Sequence, residues 1–147
     1  GTVSTGNIVL GRAATGVSLA VTAGLTSSGP PTAGIGYATG AGGTVTQLTS
    51  RTTGVTLNKI CGSITLNNTS MAAGSEATFT VTNSAVTPTD VVVVSIREAN
   101  TANTVIPFVE GTDNGSFDIR LKNLSIIAEA DIGATVINYV IIKAVVS

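Results

Sequence analysis

The sequence predicts an all-β protein: an antiparallel β-sandwich, jelly-roll-like, with an extended Gly/Ala/Thr-rich N-terminal arm. Three observations predict it. From Thr44 onward the apolar residues recur with a period of two, the pattern of strands with one dry face and one wet face. Turn residues interrupt that pattern at the short, regular spacing of a sandwich. Only 10% of the 147 residues are charged, against about 25% in ordinary soluble proteins, while about one residue in six is threonine. Threonine is β-branched, so it favours strands, and its hydroxyl wets a surface without charge.

The elements follow in order. Residues 1–43 read as the arm, rich in Gly, Ala, Ser and Thr and closing on Ser27-Ser28-Gly29-Pro30-Pro31 and Gly34-Ile35-Gly36. Within it, Ile8, Val9 and Leu10, and Val17, Leu19 and Val21, are candidate short strands and the candidate contacts to a neighbouring subunit. So little large apolar surface does not offset the roughly 1 kcal/mol per residue that ordering a backbone costs, so the arm gains order against something else. Residues 44–147 read as the sandwich, with strands expected near 45–50, 53–57, 62–67, 75–83, 90–97, 104–110, 116–124 and 134–146. Ile64 and Leu66 alternate with Ser63, Thr65 and Asn67; Ala77, Phe79 and Val81 alternate with Thr78, Thr80 and Thr82. Phe117, Ile119 and Leu121 alternate with Asp118, Arg120 and Lys122. Asp113-Asn114-Gly115 is a hairpin signal, because Asn and Gly tolerate positive φ.

The last strand breaks the alternation. Val136, Val140, Ile142, Ala144 and Val146 mark one face, and Ile137, Tyr139, Ile141 and Val145 the other. A strand apolar on both faces is buried on both, either central in its sheet or against another subunit. The expectation is a homo-oligomer, dimer or trimer, joined through Ile137, Tyr139, Ile141 and Val145. Val91-Val92-Val93-Val94 poses the same question.

Composition excludes several chemistries. With no His there is no Ser-His-Asp triad, no Cys-His pair and no imidazole ligand, and Cys61 alone makes neither an intrachain disulfide nor a CxxC knuckle. Seven Lys+Arg against eight Asp+Glu provide no basic stripe for nucleic acid, and 3% aromatics provide few stacking platforms. The apolar run 136–146 carries Asn138 and Lys143 and is too short for the roughly 20 residues of a membrane span. Gly34-Ile35-Gly36-Tyr37-Ala38-Thr39-Gly40 lacks the spacing and the strand–helix context of a dinucleotide loop. Glu110, Asp113 and Asp118 flank a hairpin as solvated surface groups. The expectation is a protein that is not an enzyme, with no cofactor, metal or small-molecule substrate.

The run Gly36-Tyr37-Ala38-Thr39-Gly40-Ala41-Gly42-Gly43-Thr44-Val45-Thr46-Gln47, continuing through Leu48-Thr49-Ser50-Arg51-Thr52-Thr53-Gly54-Val55-Thr56-Leu57-Asn58-Lys59, is distinctive. It closely resembles a segment common in structural proteins of tailed bacteriophages. Those proteins continue with stretches similar to Cys61-Gly62-Ser63-Ile64-Thr65-Leu66-Asn67-Asn68, the Ala72-Ala73-Gly74 turn and a terminal Ile141-Ile142-Lys143-Ala144-Val145. The resemblance spans about residues 36–147. It implies a virion component: a capsid decoration (cement) protein bound to the major capsid protein on the outside of the shell. The alternative it implies is a fibre or receptor-binding domain facing the host cell surface.

Overall fold

Among the described residues eight strands form, each overlapping the range that the period-two pattern predicts. The computed structural model describes residues 35–37, 39–99, 105–126 and 134–144. The chain divides into two units, Gly1–Gly36 and Tyr37–Ser147, and the strands belong to the second. The strands are β1 (Gly42–Thr46), β2 (Val55–Thr56), β3 (Cys61–Thr65), β4 (Glu76–Thr82), β5 (Val91–Glu98), β6 (Val105–Asp113), β7 (Ser116–Asn123) and β8 (Val136–Ile142). There is no helix among the described residues. β1 begins at Gly42, earlier than expected, and ends at Thr46 because the Gln47 amide turns inward. Its Nε2 donates to the carbonyls of Arg51 (3.2 Å) and Thr53 (2.8 Å), and its Oε1 accepts from the amide of Asn67 (3.1 Å).

The strands make two four-stranded sheets, β1-β3-β8-β5 and β2-β4-β7-β6. The expectation of uniformly antiparallel pairing needs correction: β1 runs parallel to β3, and β2 parallel to β4. The physical reason is connection length. Between β1 and β3 the chain crosses to the other sheet to form β2, and a crossover returns a strand in the parallel sense where a tight hairpin cannot. The four remaining pairings are antiparallel. β6 and β7 close through Asn114-Gly115, with Gly115 at φ 84°, as the sequence signal requires.

Between the sheets lies one core. Ile64, Leu66, Phe79, Val81, Phe117, Ile119 and Leu121 are at most 2% exposed. Each such side chain contributes on the order of 1.5–3 kcal/mol by leaving water. The rings of Phe117 and Tyr139 meet across the two sheets, centroids 5.2 Å apart and tilted by 58°. Gly43 and Gly62 face inward: a Cβ on Gly62 would lie 2.7 Å from Leu57 Cδ2 and 2.8 Å from the Gly43 carbonyl.

β8 is central in its sheet, between β3 and β5. The face that the alternation assigned to a partner subunit is its inner face. Ile137 and Ile141 are 0% exposed and Tyr139 3%, all three in the core, so none of them forms an oligomer contact. Alternation gives two faces without saying which one the second sheet covers. Val145 and the arm residues Ile8, Val9, Leu10, Val17, Leu19 and Val21 lie outside the described residues.

Candidate functional site

The register of the two sheets assigns every strand residue to an inner or an outer face, and the two outer faces are chemically opposite. On the β2-β4-β7-β6 sheet the outer face is charged. Arg120 reaches Glu76 at 3.0 Å and also pairs with Glu110, while Lys122 Nζ is 2.9 Å from Glu76. Thr80 donates to Asp118 at 2.7 Å, and Thr78 to Glu110 at 3.1 Å. The Arg120 guanidinium lies 6.0 Å from the centre of the Phe108 ring. The hydrogen bond from Lys122, with its charge and that of Arg120, holds the Glu76 carboxyl below the usual carboxylate range. Of the carboxylates that the sequence brought together around the 113–115 hairpin, Glu110 and Asp118 are engaged with threonine hydroxyls, and Glu110 also with Arg120.

The outer face of the β1-β3-β8-β5 sheet is the candidate site. Its residues form transverse rows. Gly42, Cys61, Val140 and Val93 make one row, and Thr44, Ser63, Asn138 and Ser95 the next. Ile142 and Val91 pair beyond the first row, and Thr46, Thr65 and Val136 follow the second. None of these side chains is charged. The first charge is Glu98 at the rim, 3.2 Å from its neighbour Arg97. The face is thus apolar at one end and hydroxyl- and amide-bearing at the other. Within the polar row Ser63 Oγ donates to Asn138 Oδ1 at 2.7 Å. Because Gly42, Cys61, Ser63 and Ser95 are small, the centre of the face is a shallow depression of about 420 Å³.

That flat face is held from beneath. Tyr139 Oη donates to the Lys59 carbonyl at 2.9 Å, with the Leu57 carbonyl at 3.2 Å, and it accepts from Asn83 Nδ2 at 3.2 Å. Asn83 also donates to the Lys59 carbonyl at 2.7 Å and accepts from the Ala85 amide at 2.9 Å. Burial pushes the Tyr139 phenol up to about 12, against a smaller opposing effect of the Asn83 hydrogen bond. At the far end of β8 the buried carboxylate of Asp90 binds Lys143 Nζ at 2.5 Å and the amides of Thr87 (2.8 Å) and Ala144 (3.3 Å).

No family model, curated protein or solved structure matches this chain. Among the described residues, no group of three or more Cys, Asp or Glu side chains is placed to hold a metal ion. No helix there is long and apolar enough to cross a membrane. Cys61 is half-buried as the first residue of β3, an inner strand, and its thiol faces the depression. Sequence reasoning singled out the valines of 91–94 and both faces of β8, but it missed the polar row. The signal was present in the alternating Ser63, Thr65 and Asn138, and it acquires meaning only once β1, β3, β8 and β5 are adjacent. Buried Gln47, Asn83 and Asn123 were also missed, since a polar residue at a strand end looks like solvent-facing loop.

Proposed function

We propose that this chain is a capsid decoration (cement) protein of a tailed bacteriophage. It binds the outer surface of the shell and bridges major capsid protein subunits, with a jelly-roll-like sandwich as its rigid body. The segment 36–59 supports the phage assignment by its resemblance. The observation that carries the docking role is the segregation of charge between the two outer faces. A hydrated ion network such as Glu76–Arg120–Glu110 is costly to bury, because charges leaving water lose more than imperfect pairing returns. The β1-β3-β8-β5 face, whose one strand-face charge is Glu98 at the rim, carries little of that penalty, so that face is the one that meets the shell and the charged face is the one that meets solvent.

The face is small. Four strands about 4.8 Å apart and five residues long cover about 320 Å², well under the roughly 800 Å² per partner of a stable complex. A single contact is therefore weak, and retention comes from many copies on a symmetric lattice acting through effective concentration. Binding to empty shells of the parent phage tests the assignment. Thr44→Lys places a charge on the docking face and is expected to weaken binding at least tenfold, about 1.4 kcal/mol or more. Thr82→Lys, on the charged face, leaves binding unchanged. Equal effects of the two would reject the orientation, and no binding by the parent protein would reject the role.

A second reading, a fibre or receptor-binding domain, is favoured by two exposed aromatics, Tyr37 at 46% and Phe108 at 40%. Phe108 beneath Arg120 has the aromatic-plus-cation character of a recognition surface. Gold-labelled antibody bound only to the tail of the virion would select this reading.

A further inference from the structure

Among the described residues, four strands end the two sheets: β1 and β5 in one, β2 and β6 in the other. A terminal strand leaves a row of backbone N–H and C=O groups along its outer side, and folded proteins blunt such rows. Three of the four are blunted. β2 is two residues long, and β1 is five and opens on Gly42-Gly43. β6 is nine residues long but carries Pro107, which has no N–H, and a bulge between Val109 and Gly111. β5 has none of these devices over most of its length. From Val91 to Ile96 it reads Val-Val-Val-Val-Ser-Ile, without proline, glycine or charge, and its register with β8 is regular until the shift between Ile96 and Glu98. Val91 and Val93 are 51% and 46% exposed, while Val92 and Val94 turn inward against the core.

We propose that β5 is a pairing edge for β5 of a second copy of this chain, joined antiparallel about a two-fold axis. Such a contact is isologous: each copy offers the same row of donors and acceptors and receives it. A two-fold axis normal to the sheet keeps outward side chains opposite outward ones, which fixes parity, and charge disfavours one of the remaining registers. Val94 opposite its own counterpart would set Asp90 against the partner's Glu98. Val93 opposite its counterpart sets Val91 against the partner's Ser95 and brings no like charges together. In that register the apolar row Cys61–Val140–Val93 continues into the partner's Val93, Val140 and Cys61. Two uncharged faces then merge into one of about 640 Å², much nearer the size that holds on a shell by itself. The pairing itself does not depend on the capsid reading and is measured on the purified chain alone.

Sedimentation equilibrium between about 5 and about 500 µM covers the range in which a small interface associates. The expected result is a concentration-dependent monomer–dimer equilibrium. Val93→Lys, with an unchanged circular dichroism spectrum, shifts it at least tenfold toward monomer. A Cys61→Ser, Val93→Cys protein gives a disulfide-linked dimer under mild oxidation, because directly opposed residues of antiparallel strands have Cα atoms about 4.5–5.5 Å apart. A Cys61→Ser, Thr44→Cys protein, with its thiol on β1 at the other edge, does not. The cross-link decides the matter should Val93→Lys fail to fold. A monomer at every concentration, a dimer indifferent to Val93→Lys, or cross-linking through Thr44→Cys in place of Val93→Cys would overturn the pairing. So would a monomer whose 91–95 amides exchange as slowly as those of β8, since the edge would then be covered by the chain itself.

Discussion

At the residue scale, two polar groups do work that apolar side chains cannot. The Asp90 carboxyl is held down to about 2, first by its hydrogen bond to Lys143 and then by the amides of Thr87 and Ala144. An unfolded aspartate titrates near 3.9, so this group binds its proton less readily in the folded state. The stability it contributes is fully present above about pH 4 and is lost as the pH falls from about 4 to about 2. Glu76 is lowered by Lys122 in the same direction. Urea midpoints are expected to be level between pH 7 and 5 and to fall steeply below pH 4. Asp90→Asn should lower the midpoint at pH 7 and flatten that acid limb; an unchanged limb would assign it to other carboxylates. The second group is the Tyr139 hydroxyl. Tyr139→Phe removes one of the hydrogen-bond partners of Asn83 Nδ2 and of the Lys59 carbonyl inside the protein, leaving their bond to each other, and is expected to cost about 1–2 kcal/mol by urea denaturation. These roles were not legible beforehand. Asp90 sits in the turn signal Thr87-Pro88-Thr89-Asp90, and the partner that makes it structural, Lys143, is distant in sequence.

At the element scale, legibility was high for strands and low for their partners. Alternation of Phe79 and Val81 with threonines located β4 closely, and Asn114-Gly115 fixed the β6–β7 hairpin. Alternation is a local property, whereas the parallel pairing of β1 with β3 depends on where the chain travels between them. The same gap explains β8: Ile141 and Ile142 are equally apolar, yet one is 0% and the other 50% exposed. Ile141→Asp therefore places a charge in the core and unfolds the domain, where an oligomer-contact role would have shown only dissociation. The glycines give a finer test of packing. Gly62→Ala forces its Cβ against Leu57, the Gly43 carbonyl and Tyr139, and is expected to cost about 1–3 kcal/mol. Gly111→Ala meets nothing within 4 Å and serves as the matched control, its thermal midpoint close to the parent's.

At the scale of the whole molecule, the low charge noted in the sequence is not spread evenly. Apart from Arg97 and Glu98 at the end of β5, the described charges on strand faces gather on one sheet, and the other sheet is left with valine, serine, threonine and asparagine in register. Composition alone measured how little charge there is; only the sheet order tells where it is missing. That asymmetry supports a protein whose work is contact, one face wet and one face docked. The most direct test is a reconstruction by single-particle imaging of virions that carry this chain. The expected result is density for the sandwich on the outside of the head shell, with the β1-β3-β8-β5 face against the capsid and Glu76, Arg120 and Lys122 facing solvent. Density confined to the tail, or a sandwich seated on the shell through its charged face, would contradict it.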